Sequence, residues 1–360
     1  MEKIRSQFPI LKQYIYANTP VFGPMYEDLM DWRQERDLDL LIHGTELPQK
    51  RGPLLEKTRS KIAEVFACKK ENVALINNFS TGMNFLLEGL DSSSKVLVLD
   101  KDYASVNWPF ERREFEMHYA VIDENIEDTI AEIIEKEQIN VLAFAMVHWQ
   151  NGIKIDLEFI KQLKSKYPNL LIISDGTQFM GTQAFSFQNS GIDVLATSGY
   201  KWLLGGYGNG FMLFSEYAKE RVAVKSIGDN TASVTLKSEG AIPFAKYFEP
   251  GHLSGHSFGS LLFSLNFLQK IGFSVIGKQN EILSKKAKSV FGAMNLLETK
   301  VVNRKSSSTI FNIKGDDVLF QHLMNNGVMC AKRGSGIRFG FHFYNTVEEI
   351  NQIAELIEKR

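Results

Sequence analysis

Three short segments hold residue types suited to nitrogen and phosphate chemistry. In Thr197-Ser198-Gly199-Tyr200-Lys201-Trp202, the lysine follows an apolar, strand-like run. An amine in such a setting loses solvation, so its pKa falls and it becomes the neutral nucleophile that Schiff-base formation requires. A solvated surface charge is the commoner fate of a lysine. In Ser174-Asp175-Gly176-Thr177-Gln178, an acid closes another apolar run. Asp175 could pair with a protonated ring nitrogen, bind a metal or simply form an Asp-Gly turn. Metal binding needs further ligands, and none lie nearby in sequence. In Asn78-Phe79-Ser80-Thr81-Gly82, small hydroxyl residues stand at a helix start. Such a start favours a phosphate through its N–H groups and dipole, and Ser80 or Thr81 could equally be a plain helix cap.

The elements that must position these segments follow from periodicity. Apolar runs at 73–78, 95–100, 118–123, 141–148 and 170–176 read as strands. Helical patterns over 54–66, 81–90, 125–136 and 156–167 stand before or between them. Strands separated by helices of this length imply crossover connections and a mostly parallel sheet. The runs 194–200 and 210–215 extend the sheet without a helix between them, so that pair is expected to be antiparallel. After about residue 255 the character changes to long helical patterns at 257–271 and 281–298, then short strands and a closing helix. The expected organisation is a large domain over 16–255 and a smaller α+β domain over 256–360, with segment 1–15 packing on the latter.

Composition narrows the functional classes. The 360-residue chain is 44% hydrophobic with a formal net charge of −1, so no basic field argues for nucleic acid or an anionic membrane. Two cysteines, Cys68 and Cys330, exclude a disulfide framework and suggest a reducing compartment. No apolar run approaches the roughly 20 residues of a membrane helix, and the expectation is a cytoplasmic protein. His252 and His256 have i,i+4 spacing, but the glycines around them disfavour a helix and a zinc site. The segment 272–279 fits the first part of a phosphate-loop pattern but has Gln279 where a hydroxyl residue is needed.

Taken together, the segments resemble the class V aminotransferases, the group of pyridoxal-phosphate enzymes that includes cysteine desulfurases and kynureninases. Those proteins pair a strand-ending D-G-A-Q with S-x-H-K some two dozen residues later. The counterparts here are DGTQ (175–178) and SGYK (198–201), and the likeness runs from YIYANTP (14–20) to FHFYNTVEEI (341–350). The resemblance implies an α/β fold of PLP type I with a seven-stranded sheet, and it assigns roles. Lys201 carries the cofactor and shuttles a proton. Asp175 binds the pyridine nitrogen, and Gln178 the ring oxygen. Ser80, Thr81, Ser198 and Tyr200 hold the phosphate, Tyr200 standing where the family usually has histidine. Tyr103 stacks on the ring, Gln150 stands in near the ring oxygen beside Trp149, and Arg338 clamps a substrate carboxylate. The segment EPGHLSGHS matches a turn that reaches a neighbouring subunit's phosphate, with His252 in place of threonine. This implies a homodimer.

Desulfurases carry a nucleophilic cysteine on a flexible loop before that arginine. Here only GSG separates Arg333 from Ile337-Arg338, and Cys330 falls in a strand-like run. The leading expectation is therefore transamination between an α-amino acid and a 2-oxo acid. A desulfurase- or kynureninase-like lyase is the alternative. A third reading, cofactor binding without turnover, gives no reason for a carboxylate clamp.

Overall fold

The computed structural model describes residues 2–44, 46–232 and 242–359. Its centre is a seven-stranded sheet, in the spatial order Val73–Ile76, Gly210–Phe214, Val194–Ser198, Leu171–Asp175, Val141–Ala145, Lys95–Leu99 and Glu116–Ala120. All neighbouring strands pair in parallel except Gly210–Phe214, which is antiparallel to both of its neighbours. The mostly parallel α/β architecture and the antiparallel pair both match expectation.

The strand residues are apolar on both sides because the sheet is covered on both faces. Their period-two alternation divides them between two cores. Leu142, Phe144, Ile172 and Leu195 enter one, while Val141, Ala143, Ile173 and Ala196 enter the other. The edge strand Glu116–Ala120 has only Ala120 buried. The covering helices are amphipathic, as in Ile126–Glu137, which buries Ile126, Ile130 and Ile134 at four-residue spacing. Among the described residues no single helix is long and apolar enough to cross a membrane.

A second, three-stranded antiparallel sheet has the order Ala331–Arg333, Gly336–Gly340 and Ile310–Lys314, with helices Phe273–Ala293 and Val347–Glu358 packed together. The helix Phe273–Ala293 begins earlier than its sequence pattern suggests, so 273–279 forms its first turns rather than a connection. His256 likewise lies inside the helix Gly255–Ile271, which Ser254 caps despite the glycines. The N-terminal segment contacts this region: Ile15–Tyr16 pairs with Val328–Met329, and Phe8 meets the rings of Phe343 and Tyr344.

One buried ion pair ties the sheet to the segment leading to His252. Arg59 donates from Nη1 to Glu249 Oε1 at 2.7 Å and from Nη2 to Oε2 at 3.0 Å, and Leu75 N–H donates to Oε1 at 2.8 Å. Burial pushes the Glu249 carboxyl up, but its bonds to Arg59 and the nearby Lys246 outweigh this and hold it below the ordinary carboxylate range. Removing one partner strands a buried charge, so Arg59→Met is expected to destabilise the fold by about 3–5 kcal/mol in urea unfolding. The depressed carboxyl contributes stability above its unfolded pKa, and that contribution is lost as pH falls through its folded value. An unchanged unfolding midpoint, or one with no acid dependence at Glu249, would contradict this.

Candidate active site

The C-terminal ends of the parallel strands bring the chemistry-bearing segments to one edge. The register aligns Ala145 with Asp175 and Asp175 with Ala196, so the three following loops meet. Between them lies a cavity of about 290 Å³, walled by Asn78, Ser80, Tyr103, Trp149, Asp175 and Lys201, among others. Gly23 is required above it, because a Cβ there would lie 2.0 Å from the Lys201 carbonyl oxygen.

Lys201 is buried, with its amine 5.6 Å from the Tyr103 ring centroid and 5.5 Å from that of Tyr200. Burial pushes the amine down to about 8; Asp175 opposes the shift, while the Arg338 and Arg333 charges add to it. Asp175 accepts from Thr177 N–H at 2.7 Å. Burial raises its carboxyl to about 6 against the lowering effects of Thr177 and Lys201. The site therefore holds an amine and a carboxylate whose ionisations are both drawn toward neutrality, a pattern common where protons are moved.

The phosphate-type segment is only partly assembled as expected. Asn78 caps the helix Phe79–Glu88 by accepting from Thr81 N–H, and Thr81 does not line the cavity. Ser80 does line it, with its hydroxyl donating to Ser105 at 2.8 Å. The Ser198 hydroxyl accepts from Phe79 N–H at 2.9 Å, linking the helix start to the lysine strand. Tyr200 and Tyr103 both line the cavity.

Other expected positions are placed differently. Gln178 lines the cavity, but its amide donates to Pro20 O at 3.0 Å and accepts from Trp202 Nε1 at 2.8 Å. Gln150 is absent from the wall; it packs against the turn at Gly334, where a Cβ would lie 2.4 Å from Gln150 Nε2. Trp149 takes the wall position instead, its ring 6.2 Å from that of Tyr103. His252 stands away from the cavity of its own chain, its side chain 57% exposed and 3.7 Å from Asp229.

Arg338 is buried on the strand Gly336–Gly340 and donates from Nη1 to the Trp149 carbonyl at 2.5 Å. Its Nε and the Trp149 Nε1 are buried donors without partners. Orphaned donors of this kind are costly unless a ligand satisfies them; Trp149 lines the cavity, whereas Arg338 stands outside its wall. Burial and the neighbouring Arg333 lower the Arg338 guanidinium to about 9.

Asp102 went unrecognised in the sequence. It is buried and accepts from Tyr103 N–H at 2.7 Å and Ala145 N–H at 2.8 Å, holding the Tyr103 loop on the sheet edge. Burial raises its carboxyl, and nearby His148 opposes the rise. The available signal was an acid just after the apolar run at 95–100, the same placement that drew attention to Asp175.

Neither cysteine is at this site. Cys330 is buried between two short strands, with its thiol pushed up to about 12 by burial, and burial raises the half-buried Cys68 to about 11. Among the described residues no three His, Cys, Asp or Glu side chains are grouped to hold a metal ion.

A family model described as aminotransferase class-V matches residues 44–353. A probable cysteine desulfurase of Methanothermobacter thermautotrophicus is 22% identical, over 99% of this chain and 97% of that protein. The apo structure of a cysteine desulfurase from Thermococcus onnurineus NA1 superposes with a TM-score of 0.86 at 18% identity, covering 99% of this chain and 97% of that one. The cystine C–S lyase C-DES, in complex with its reaction product cysteine persulfide, gives 0.86 at 19% identity over 97% of this chain and 99% of its own. At these identities the structural likeness is one of fold.

The lysine geometry generates a first chemical test. Incubation with pyridoxal phosphate, borohydride trapping and peptide mapping should label Lys201. The yield should rise with pH through about 8, where the amine becomes neutral, rather than near the ordinary 10.5. A label on another lysine, or a rise confined to the ordinary lysine range, would overturn the assignment.

Proposed function

Because the chain belongs to the class-V aminotransferase family, we propose that it is a lyase that breaks a carbon–sulfur bond in a β-substituted α-amino acid. Its cofactor is pyridoxal 5′-phosphate, which when bound supplies an electron sink for charge developing at the substrate α carbon. The cavity fits this group, since it sets an amine and a carboxylate facing the same space beside a helix start.

In this reading Lys201 holds the cofactor and, kept partly neutral by burial, moves the proton at the substrate α carbon. Asp175 is a carboxylate near neutral pH and pairs with the ring nitrogen. Tyr103 covers the ring. Arg338 binds the substrate carboxylate through its unpartnered Nε, and Trp149 closes that side. Ser80, Ser198 and Tyr200 are the phosphate-side contacts.

The reading is supported by relatives named for carbon–sulfur chemistry, and the position of the two thiols bears on where the sulfur goes. Both are burial-raised and neither reaches the cavity. A mechanism that parks sulfur on an enzyme cysteine thus has no thiolate to use, so the sulfur leaves into solution. Cysteine and water would give pyruvate, ammonia and hydrogen sulfide; cystine and water would give pyruvate, ammonia and cysteine persulfide. This differs from the transamination that the sequence placed first.

We infer also that the working unit is a homodimer. The exposed Gly251-His252 turn can serve a cofactor phosphate only in a second chain, and an isologous contact would complete two sites at once.

Two outcomes check these proposals. With cysteine or cystine, the enzyme should release pyruvate and ammonia in equal amounts with sulfide or persulfide, and Cys330→Ser should keep its rate within about twofold. Nitrogen transfer to an added 2-oxo acid without sulfur release would establish transamination instead. Mixing a Lys201→Ala chain with one altered in the 251–256 turn should restore part of the activity, because one hybrid site has both halves intact. A fully active monomer in sedimentation would defeat the dimer.

A further inference from the structure

A second cavity, of about 550 Å³, lies behind the first. Its walls come from the 178–184 segment, the helix Phe273–Ala293 and the 305–309 loop. It shares Val147 and Gln178 with the smaller cavity but contains neither Lys201 nor Asp175. Nothing in the reaction proposed above uses it.

Its charge is unusual for this chain. Lys154, Lys278, Lys285, Lys288 and Lys305 line it against the single Glu281, a formal excess of four positive charges in a protein of net −1. Lys278, Lys285 and Lys305 are exposed, and solvated lysines alone would mean little. Lys154 and Lys288 are half-buried, and neither has a carboxylate within ion-pair distance among the described residues. Lys154 donates to Gln183 Oε1 at 2.8 Å and stands 5.2 Å from the Phe179 ring centroid; Lys288 donates to Arg304 O at 2.5 Å. Burial lowers both amines below the ordinary lysine range; the Asp156 charge opposes the shift at Lys154, and the Arg304 charge adds to it at Lys288. Arg304 is already committed to Glu127. Two half-buried ammonium groups without an ion-pair partner, both lining one cavity, carry a cost that an anion would relieve.

The polar groups between the lysines point to what else the occupant carries. Ser284, Ser306, Ser307 and Ser308 line the cavity. Asn280 is 5% exposed; its Nδ2 donates to Thr182 O at 2.8 Å, while its Oδ1 has no partner. That oxygen is a buried, unpartnered acceptor on a residue of the cavity wall, and a ligand hydroxyl would satisfy it. A cavity of this size takes a small metabolite rather than a bare ion.

We propose that this cavity is a second binding site, for a small hydroxyl-bearing molecule that carries a phosphate group. Lys154 and Lys288 take the phosphate, whose charge of about −1.5 to −2 matches them better than a single carboxylate. Asn280 takes a hydroxyl. The occupant would also lie against the wall of the cofactor cavity. Asn280 Nδ2 stands 3.2 Å from His342 Nδ1, His342 Nε2 donates to Trp202 O at 3.1 Å, and Trp202 follows Lys201 in the chain. The inference is independent of which reaction Lys201 supports.

The test uses the cofactor-loaded enzyme, so that the phosphate contacts around Lys201 are already occupied. Calorimetric titration with glucose 6-phosphate should show saturable binding of one molecule per chain at about 0.15 M salt, and glucose alone should show none. Replacing both half-buried lysines (Lys154→Met with Lys288→Met) should weaken binding by at least about tenfold, since each charge-assisted contact is strong. The cofactor absorbance should stay unchanged. Should that double variant lose its cofactor, Lys288→Gln alone, which removes one of the two half-buried charges, should still weaken binding severalfold. Absence of saturable binding up to about 10 mM, equal binding of glucose, or undiminished affinity in folded variants would overturn the proposal.

Discussion

The burial of an amine against a carboxylate at the open end of the sheet is the constraint around which this molecule is arranged. Asp175 ends the strand Leu171–Asp175, and Lys201 follows the neighbouring strand Val194–Ser198 by three residues, with the two strands in register. Each is unfavourable when charged and dry, and each is partly relieved by the other. Such a pair persists only if the surrounding framework is rigid enough to deny it water. The flanking elements supply that rigidity: five-residue strands buried on both faces, Gly23 laid against the lysine carbonyl, and Asp102 holding the Tyr103 loop to Ala145.

The remaining parts of the site are brought from far along the chain. Arg338 belongs to the second sheet, yet its guanidinium reaches the Trp149 carbonyl and its charge is felt at Lys201. Arg59 and Glu249 hold the segment before the exposed Gly251-His252 turn against the first strand of the large sheet. The buried carboxylate adds to the anchoring that Ala245 and Phe248 give this connection in the core. The two cavities meet at Gln178, whose amide is taken up by Pro20 and Trp202 and so serves as structure on both sides.

Under the proposed function, no enzyme thiol is placed to receive the sulfur that is released. A thiol acts as nucleophile only as thiolate. Both thiols here sit where burial suppresses that form, and the arginine-bearing hairpin turns directly from Arg333 to Gly336. That hairpin links its strands through Gly334 and Ser335 alone.

Much of this was legible in the residues themselves. Strand-helix alternation determined the parallel sheet, because buried strands need continuous apolar runs and crossover helices need one apolar face. The order of Asp175, Gln178, Ser198 and Lys201 carried the resemblance that implied the family and the cofactor. What local pattern could not decide is where a side chain points. Gln150 and Trp149 are neighbours, and only packing against Gly334 turns one away and leaves the other in the wall. Thr81 and Ser80 are likewise adjacent, and the Asn78 cap claims the first. The unpartnered donors of Trp149 and Arg338, and the lysines gathered from 154 to 305 around the second cavity, arise from contacts between distant segments. Burial and charge are properties of the assembled space, so the sequence determined which chemistry was on hand and only the tertiary structure decided which groups share it.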